Sequence, residues 1–170
     1  HPQYNNLIKY QKKIKFVYQN KPLGTGDAVL KTKKFIKNKF FLMLLPDDLI
    51  MKRNCSKDMI KLHKKYKASI MASMTVKKNN VNRWGIYSIS KKLNKQNFVI
   101  SNVIEKPNTN DAPSTNAVIG RYILRKNITD SIKTMIDNKS LFIGHKFSGK
   151  YLDCGSMNGY INSTLEIAKL

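Results

Sequence analysis

Acidic residues are scarce in this chain: ten Asp and Glu stand against 32 Lys and Arg in 170 residues, giving a formal net charge of +22. A basic face of that size raises the question of a nucleic-acid partner, since Lys and Arg bind phosphate chains by releasing counterions. Arginine is scarcer still and occurs only at 53, 83, 121 and 125. The charge therefore rests on Lys, scattered in pairs such as Lys12-Lys13, Lys33-Lys34, Lys64-Lys65 and Lys91-Lys92. The clustered Arg forks and interleaved aromatics of a specific nucleic-acid reader are missing, so the expectation is a solvated surface with no specific nucleic-acid partner. Cysteine is nearly absent too. Cys55 and Cys154 lie far apart with no Cys-x-x-Cys spacing, which argues against a disulfide framework or a zinc site. His1, His63 and His145 show no metal or catalytic spacing. No apolar run reaches the length of a membrane span, and the opening residues hold no charged-then-apolar pattern, so a soluble, cytoplasmic protein without membrane contact is expected.

What remains is enough for a real core. Hydrophobic residues make up 41% of the chain, and its length fits one domain. The chain starts with His1 rather than Met and stops at Leu170 inside the amphipathic run Tyr160, Ile161, Leu165, Ile167, Ala168, with no glycine or proline stop. Both ends read as cut, and the expectation is a piece of a longer protein.

The most informative stretch is Leu44-Leu45-Pro46-Asp47-Asp48-Leu49. Phe40, Phe41, Leu42 and Met43 before it form an unbroken apolar run, which predicts a central strand covered on both faces. Pro46 ends that ladder and sets Asp47 at the carboxyl edge of the sheet, where open α/β folds bind ligands. A carboxylate there is a hard oxygen ligand of the kind Mg²⁺ takes one or two of. The same residues also suit a plain turn and helix N-cap.

Upstream, residues 14–19 alternate polar and apolar and predict a strand. The loop Asn20-Lys21-Pro22-Leu23-Gly24-Thr25-Gly26 and a helix from Asp27 to Lys37 follow, the order that forms a cradle for an anion or a base, although helix entry turns use such residues routinely. Downstream, the pattern predicts a helix over Ser56–Tyr66, strands over 69–76, from Trp84, and over Phe98–Ile104, then a buried strand over Asn116–Leu124 with a glycine at 120. In the strand from Trp84, Gly85 either relieves a crowded backbone or lets a ligand approach. Pro107 ends the strand before it, leaving Glu105 and Lys106 at a strand terminus, pointing to opposite faces unless the twist turns both toward a cleft. A salt-bridged surface pair is the plainer reading of those two. Thr129-Asp130 predicts a helix cap through about Ile136, Leu141–Phe147 a strand, Tyr151–Gly155 a short strand ending in Asp153, and Ser156 the start of the last helix. Alternating strands and helices predict one α/β unit.

The ordered set Gln19-Asn-Lys-Pro-Leu-Gly-Thr-Gly-Asp-Ala-Val-Leu, Leu45-Pro-Asp-Asp-Leu-Ile, Trp84-Gly-Ile, Val103-Ile-Glu-Lys-Pro, Ala112-Pro-Ser, Gly120-Arg-Tyr-Ile-Leu and Tyr151-Leu-Asp-Cys-Gly resembles bacterial UTP:glucose-1-phosphate uridylyltransferases over nearly the whole length. The resemblance implies a Rossmann-like, three-layer α/β nucleotidyltransferase fold with a mixed sheet, present over 1–170 as a single partial domain without its N-terminal units. It implies transfer from UTP to glucose-1-phosphate with Mg²⁺, giving UDP-glucose and pyrophosphate. By position, Gln19 and Gly24 resemble the pair that reads uracil, and Asp47 the Mg²⁺ ligand. Gly85 is similar to the glycine against the hexose, Glu105 to the acceptor of sugar hydroxyls, and Lys106 to the cation on the sugar phosphate. Asp153 is the candidate second carboxylate at the metal, or simply a cap of the last helix. A homo-oligomer is implied for the full-length parent.

Three departures accompany the resemblance. The family's opening Gly-x-Gly-Thr-Arg segment and Pro-Lys signature have no counterpart, so the isolated chain is expected to turn over little or no substrate. A longer family segment with a Gly-Glu-Ile-Gln stretch is replaced by Arg125-Lys126-Asn127-Ile128, and Asp27 stands where a His is usual. A thymidylyl- or cytidylyltransferase of the same fold, and a non-catalytic basic module on nucleic acid, are the alternatives. The charge pattern predicts only weak DNA or RNA binding that vanishes with modest salt; fluorescence anisotropy across a salt series checks this, and binding that persists at physiological ionic strength would favour the basic module.

Overall fold

The computed structural model describes residues 8, 10–11, 13–126, 136, 138 and 140–169. The expected cap at Thr129-Asp130, Asn127-Ile128 of the replaced segment, and His1 lie outside the described residues. Contacts divide the chain into two compact units, up to residue 37 and from residue 38 onward.

In the first unit the expected strand over 14–19 does not form. Its residues have no regular structure, and Phe16 and Tyr18 are 81% and 83% exposed. An extended segment is a strand only when a neighbouring strand takes its backbone N–H and C=O groups, and among the described residues no strand pairs with it; the Ile14 N–H goes to the Gln11 carbonyl at 3.1 Å instead. Helix α1 (Thr25–Thr32) begins at the glycine-rich loop and tightens into a 3-10 turn over Lys33–Phe35, so the helix expected over 27–37 starts earlier and ends sooner.

The second unit is built on strands β1 (Phe40–Leu44), β2 (Asp48–Met51), β3 (Ser69–Thr75), β4 (Gly85–Lys92), β5 (Asn97–Glu105), β6 (Asn116–Arg125), β7 (Phe142–Lys146) and β8 (Lys150–Asp153), with helices α2 (Cys55–Tyr66) and α3 (Met157–Ala168). Six strands form one sheet in the order β1-β6-β3-β7-β5-β4, and β2 pairs with β8 in a second. The large sheet is mixed, because β3 and β7 run parallel while its other pairs are antiparallel. The apolar run Phe40–Leu44 is a strand but not the central one. Among the described residues β1 sits at the edge, paired to β6 alone, with Leu42 and Leu44 exposed. The centre belongs to β3, whose first five residues are buried.

Alternation along the strands fills both faces. Ile70, Ala72, Ile119 and Ile123 face one way and meet Cys55 and Met59 of α2, while Met71, Tyr122 and Leu124 face the other way with Tyr87, Phe98 and Phe142. Helix α2 is started by Asn54, whose side chain accepts from the Lys57 N–H, and ended by Lys67 in the left-handed conformation. Phe98 covers Gly144 so closely that a Cβ there would lie 2.1 Å from its ring.

Burial against this core pushes the Cys55 thiol up to about 11, with the Asp58 charge adding to the rise and Arg121 opposing it. The unfolded thiol ionises near pH 9, so the unfolded chain loses that proton first, and the thiol's contribution to folding stability is constant below pH 9 and falls toward pH 11. Urea unfolding of wild type and Cys55→Ala is therefore expected to show a constant gap up to pH 9 and a narrowing gap above it.

Candidate active site

The turn between β1 and β2 is held from beneath by β6. Register sets Leu44 opposite Arg121, and the Leu45 N–H donates to the Gly120 carbonyl at 2.8 Å. The Arg121 guanidinium donates to the carbonyls of Leu45 at 2.8 Å and Gly120 at 2.9 Å, and also to that of Asp48. Asp48 returns the contact, its Oδ2 accepting the Gly120 N–H at 2.5 Å while its Oδ1 accepts the Tyr151 hydroxyl. Gly120 must be glycine here, because a Cβ would lie 2.4 Å from Asp48 Oδ2 and 2.5 Å from Leu45 Cβ.

Between these tethers Asp47 is exposed. Its carbonyl accepts the Cys154 N–H at 2.8 Å, which draws the end of β8 alongside. A Cβ on Gly155 would lie 2.8 Å from Asp47 Oδ2 and 3.3 Å from Asp153 Oδ1, so the two expected metal carboxylates converge on one glycine. Asp153 Oδ1 accepts the Gly155 N–H at 2.9 Å, and its Oδ2 lies 3.9 Å from Arg83. Among the described residues the Asp47 carboxylate takes part in no hydrogen bond, and no group of three or more His, Cys, Asp or Glu is arranged to hold a metal. Two hard carboxylates with one uncommitted fit Mg²⁺, which leaves its other positions to water and phosphate. The concentration of charge is felt nearby. Burial, then the hydrogen bond to Asp48, then the Asp48, Asp153 and Asp47 charges raise the Tyr151 hydroxyl well above the ordinary phenol range. Burial, then Asp48, Glu105 and Asp47, do the same to Tyr122.

Gly85, Glu105 and Lys106 form the second group. Gly85 pairs directly with Glu105, and a Cβ on it would lie 3.0 Å from Glu105 Oε2 and 3.1 Å from Val118 Cγ2. The glycine thus admits a close carboxylate. Lys106 donates its N–H to the Trp84 carbonyl at 3.1 Å and has φ +44, a left-handed conformation uncommon outside glycine, so the chain leaves the strand line at this residue. Glu105 and Lys106 form no ion pair with each other, against the plainer reading of them. Arg83, stacked 4.8 Å from the Trp84 ring centroid, links Asp153 to this group. A cavity of about 700 Å³ lies beside them, lined by Arg83, Trp84 and Asp153 with Asn158 and Asn162 of α3.

The loop of the first unit brings Gln19 and Gly24 together. The Gln19 side-chain amide donates to the Gly24 carbonyl at 3.1 Å and to Asp27 Oδ2 at 2.7 Å. Both partners only accept, which fixes the amide's orientation. Gly24 has φ +91, the turn conformation that favours glycine.

Residues 1–169 match the nucleotidyl transferase family, and the chain belongs to that family. Within it, the chain is similar to the UTP–glucose-1-phosphate uridylyltransferase 2 of Streptococcus pyogenes serotype M3, 32% identical over 177 residues that cover 91% of this chain and 59% of the relative. A second Streptococcus pyogenes UTP–glucose-1-phosphate uridylyltransferase is 31% identical over 91% of this chain and 58% of its own length. The chain thus spans about three fifths of the length of these relatives. Among solved structures, an apo UDP-glucose pyrophosphorylase superposes with a TM-score of 0.85 at 31% identity, covering 99% of this chain and 69% of the other. A UDP-glucose pyrophosphorylase complexed with UDP-glucose gives 0.84 at 33% identity, covering 99% and 73%. The fold is the mixed-sheet α/β nucleotidyltransferase fold that these structures share.

Sequence reasoning missed Asp48, Tyr151, Arg121 and Arg83, and noted Gly120 and Gly155 only as glycines. The available signal was the doubled acid after Pro46 and a glycine inside the apolar strand 116–124. Gly120→Ala is expected to lower folding stability by about 1–3 kcal/mol through overpacking, whereas Gly26→Ala, with open space around it, stays within about 0.5 kcal/mol of wild type or gains slightly. Urea unfolding of both variants checks the contrast.

Proposed function

We propose that this chain represents a UTP:glucose-1-phosphate uridylyltransferase, read as a single partial nucleotidyltransferase domain over 1–170 and acting in the cytoplasm, with the longer protein a homo-oligomer. The observation that supports this most is the convergence of Asp47 and Asp153 on Gly155 at the end of a nucleotidyltransferase sheet. In this reading Gln19 and Gly24 hold the uracil ring of UTP. Gly85 lies against the hexose, Glu105 accepts its hydroxyl protons in hydrogen bonds, and Lys106 holds the phosphate of glucose-1-phosphate. Asp47 and Asp153 are the residues that hold Mg²⁺, which when bound offsets negative charge on the phosphate oxygens.

The reaction joins a phosphate oxygen of glucose-1-phosphate to the α-phosphorus of UTP. A new P–O bond forms, the α–β anhydride bond breaks, and pyrophosphate leaves with the electron pair. No covalent enzyme intermediate is required, so the protein's work is alignment and charge neutralisation. Lys106 is the cation of this chain set aside for the attacking phosphate.

UDP-glucose carries both halves of the product, so titration calorimetry with it tests the site without turnover. Binding is expected to strengthen with Mg²⁺, and Asp47→Ala to remove that Mg²⁺ dependence. Retention of the dependence in Asp47→Ala overturns the metal assignment. A pyrophosphate-release assay on the isolated chain is expected to give little or no product, and UTP to bind ahead of dTTP and CTP.

A further inference from the structure

Asp48 spends its two carboxylate oxygens on two different elements: Oδ2 takes the Gly120 N–H of β6 at 2.5 Å, and Oδ1 takes the Tyr151 hydroxyl of β8. The register between β2 and β8 sets Asp48 opposite Asp153 and Ile50 opposite Tyr151. Alternation therefore puts Asp48, Ile50, Tyr151 and Asp153 on one face of this small sheet, and the Tyr151–Asp48 hydrogen bond crosses it diagonally. Two acids directly opposite each other repel, unless donors take up the charge. Asp48 has two such donors. Its chain neighbour is Asp47, and Tyr151 lies two residues before Asp153. The hydrogen bond therefore ties the segment bearing one converging carboxylate to the segment bearing the other.

We infer that Asp48 and Tyr151 are positioning residues that set the separation of Asp47 and Asp153, and with it the affinity of that pair for a divalent cation. This rests on reading Asp47 and Asp153 as the metal carboxylates. Each Asp48 oxygen already accepts a hydrogen bond from a neighbouring strand, so in this reading Asp48 acts through its neighbours. Tyr151 contributes its hydroxyl and no charge. Its removal leaves Asp48 Oδ1 without a donor, opposite Asp153, and frees β8 to shift against β2.

Mn²⁺ binding to the 170-residue chain, followed by the electron paramagnetic resonance signal of the free ion, tests this, with thermal unfolding of the metal-free protein beside it. Tyr151→Phe is expected to weaken Mn²⁺ by about ten- to hundredfold, without the complete loss expected for Asp47→Ala. Unchanged affinity in Tyr151→Phe alongside lost binding in Asp47→Ala overturns the positioning role and leaves the metal reading intact. A wild type that binds no Mn²⁺, or an Asp47→Ala that binds it normally, overturns the metal reading and this inference together. Should Tyr151→Phe fail to fold, Asp48→Asn against Asp48→Ala decides. The Asn can accept from Gly120 and donate to the Tyr151 oxygen, so it is expected to bind Mn²⁺ more tightly than the Ala, and equal affinities in the two overturn the proposal.

Discussion

One guanidinium holds this site in place. Arg121 reaches from β6 to carbonyls on both sides of Pro46 and Asp47, so a turn that leaves the sheet edge is returned to it by a cation already fixed in a strand. Buried carbonyls at the end of a ladder need donors, and Arg supplies several from one rigid plane. With the backbone satisfied from below, the Asp47 side chain has no structural duty and is presented outward. The second sheet, β2 with β8, grows from that fixed turn and carries Asp153 to the same place.

The distribution of charge is informative in a chain so short of acid. Beyond burial, Asp48, Glu105 and Asp47 all push up the hydroxyl of one buried phenol, Tyr122, so three of the chain's ten acids act on one corner of a basic molecule. An unrelieved group of this kind would repel itself. Gly120, Tyr151, Gly155 and Arg83 each take part of it up, and among the described residues the Asp47 and Glu105 carboxylates are the members without such relief. The chain's excess of lysine attracts polyanions at long range.

Much of this was legible in the order of residue types. The apolar run at 40–44, the break at Pro46, the strand ending at Glu105 and the short strand ending at Asp153 each follow from period and turn chemistry. What was not legible is who neighbours whom. Phe40–Leu44 reads as a centre because every residue is apolar, yet among the described residues it lies at the edge. The true centre, Ser69–Thr75, contains buried Ser69 and Ser73, small enough to fit where a purely apolar run was expected. Residues 14–19 carry a strand pattern without a described partner, and pattern alone cannot supply one. Asp48 and Tyr151 are remote in sequence, and nothing local to either announces the other.

The parallel pairing of β3 with β7 also sets an order of assembly. β3 is complete at Thr75, but both strands that flank it, β6 and β7, come much later in the chain. A ribosome emitting this protein leaves β3 without either flanking strand until β6 ends at residue 125, and without its parallel partner until residue 146, and such long-range closure is slow and exposes apolar surface meanwhile. The acidic corner must wait longer still, because one of its carboxylates arrives only with Asp153.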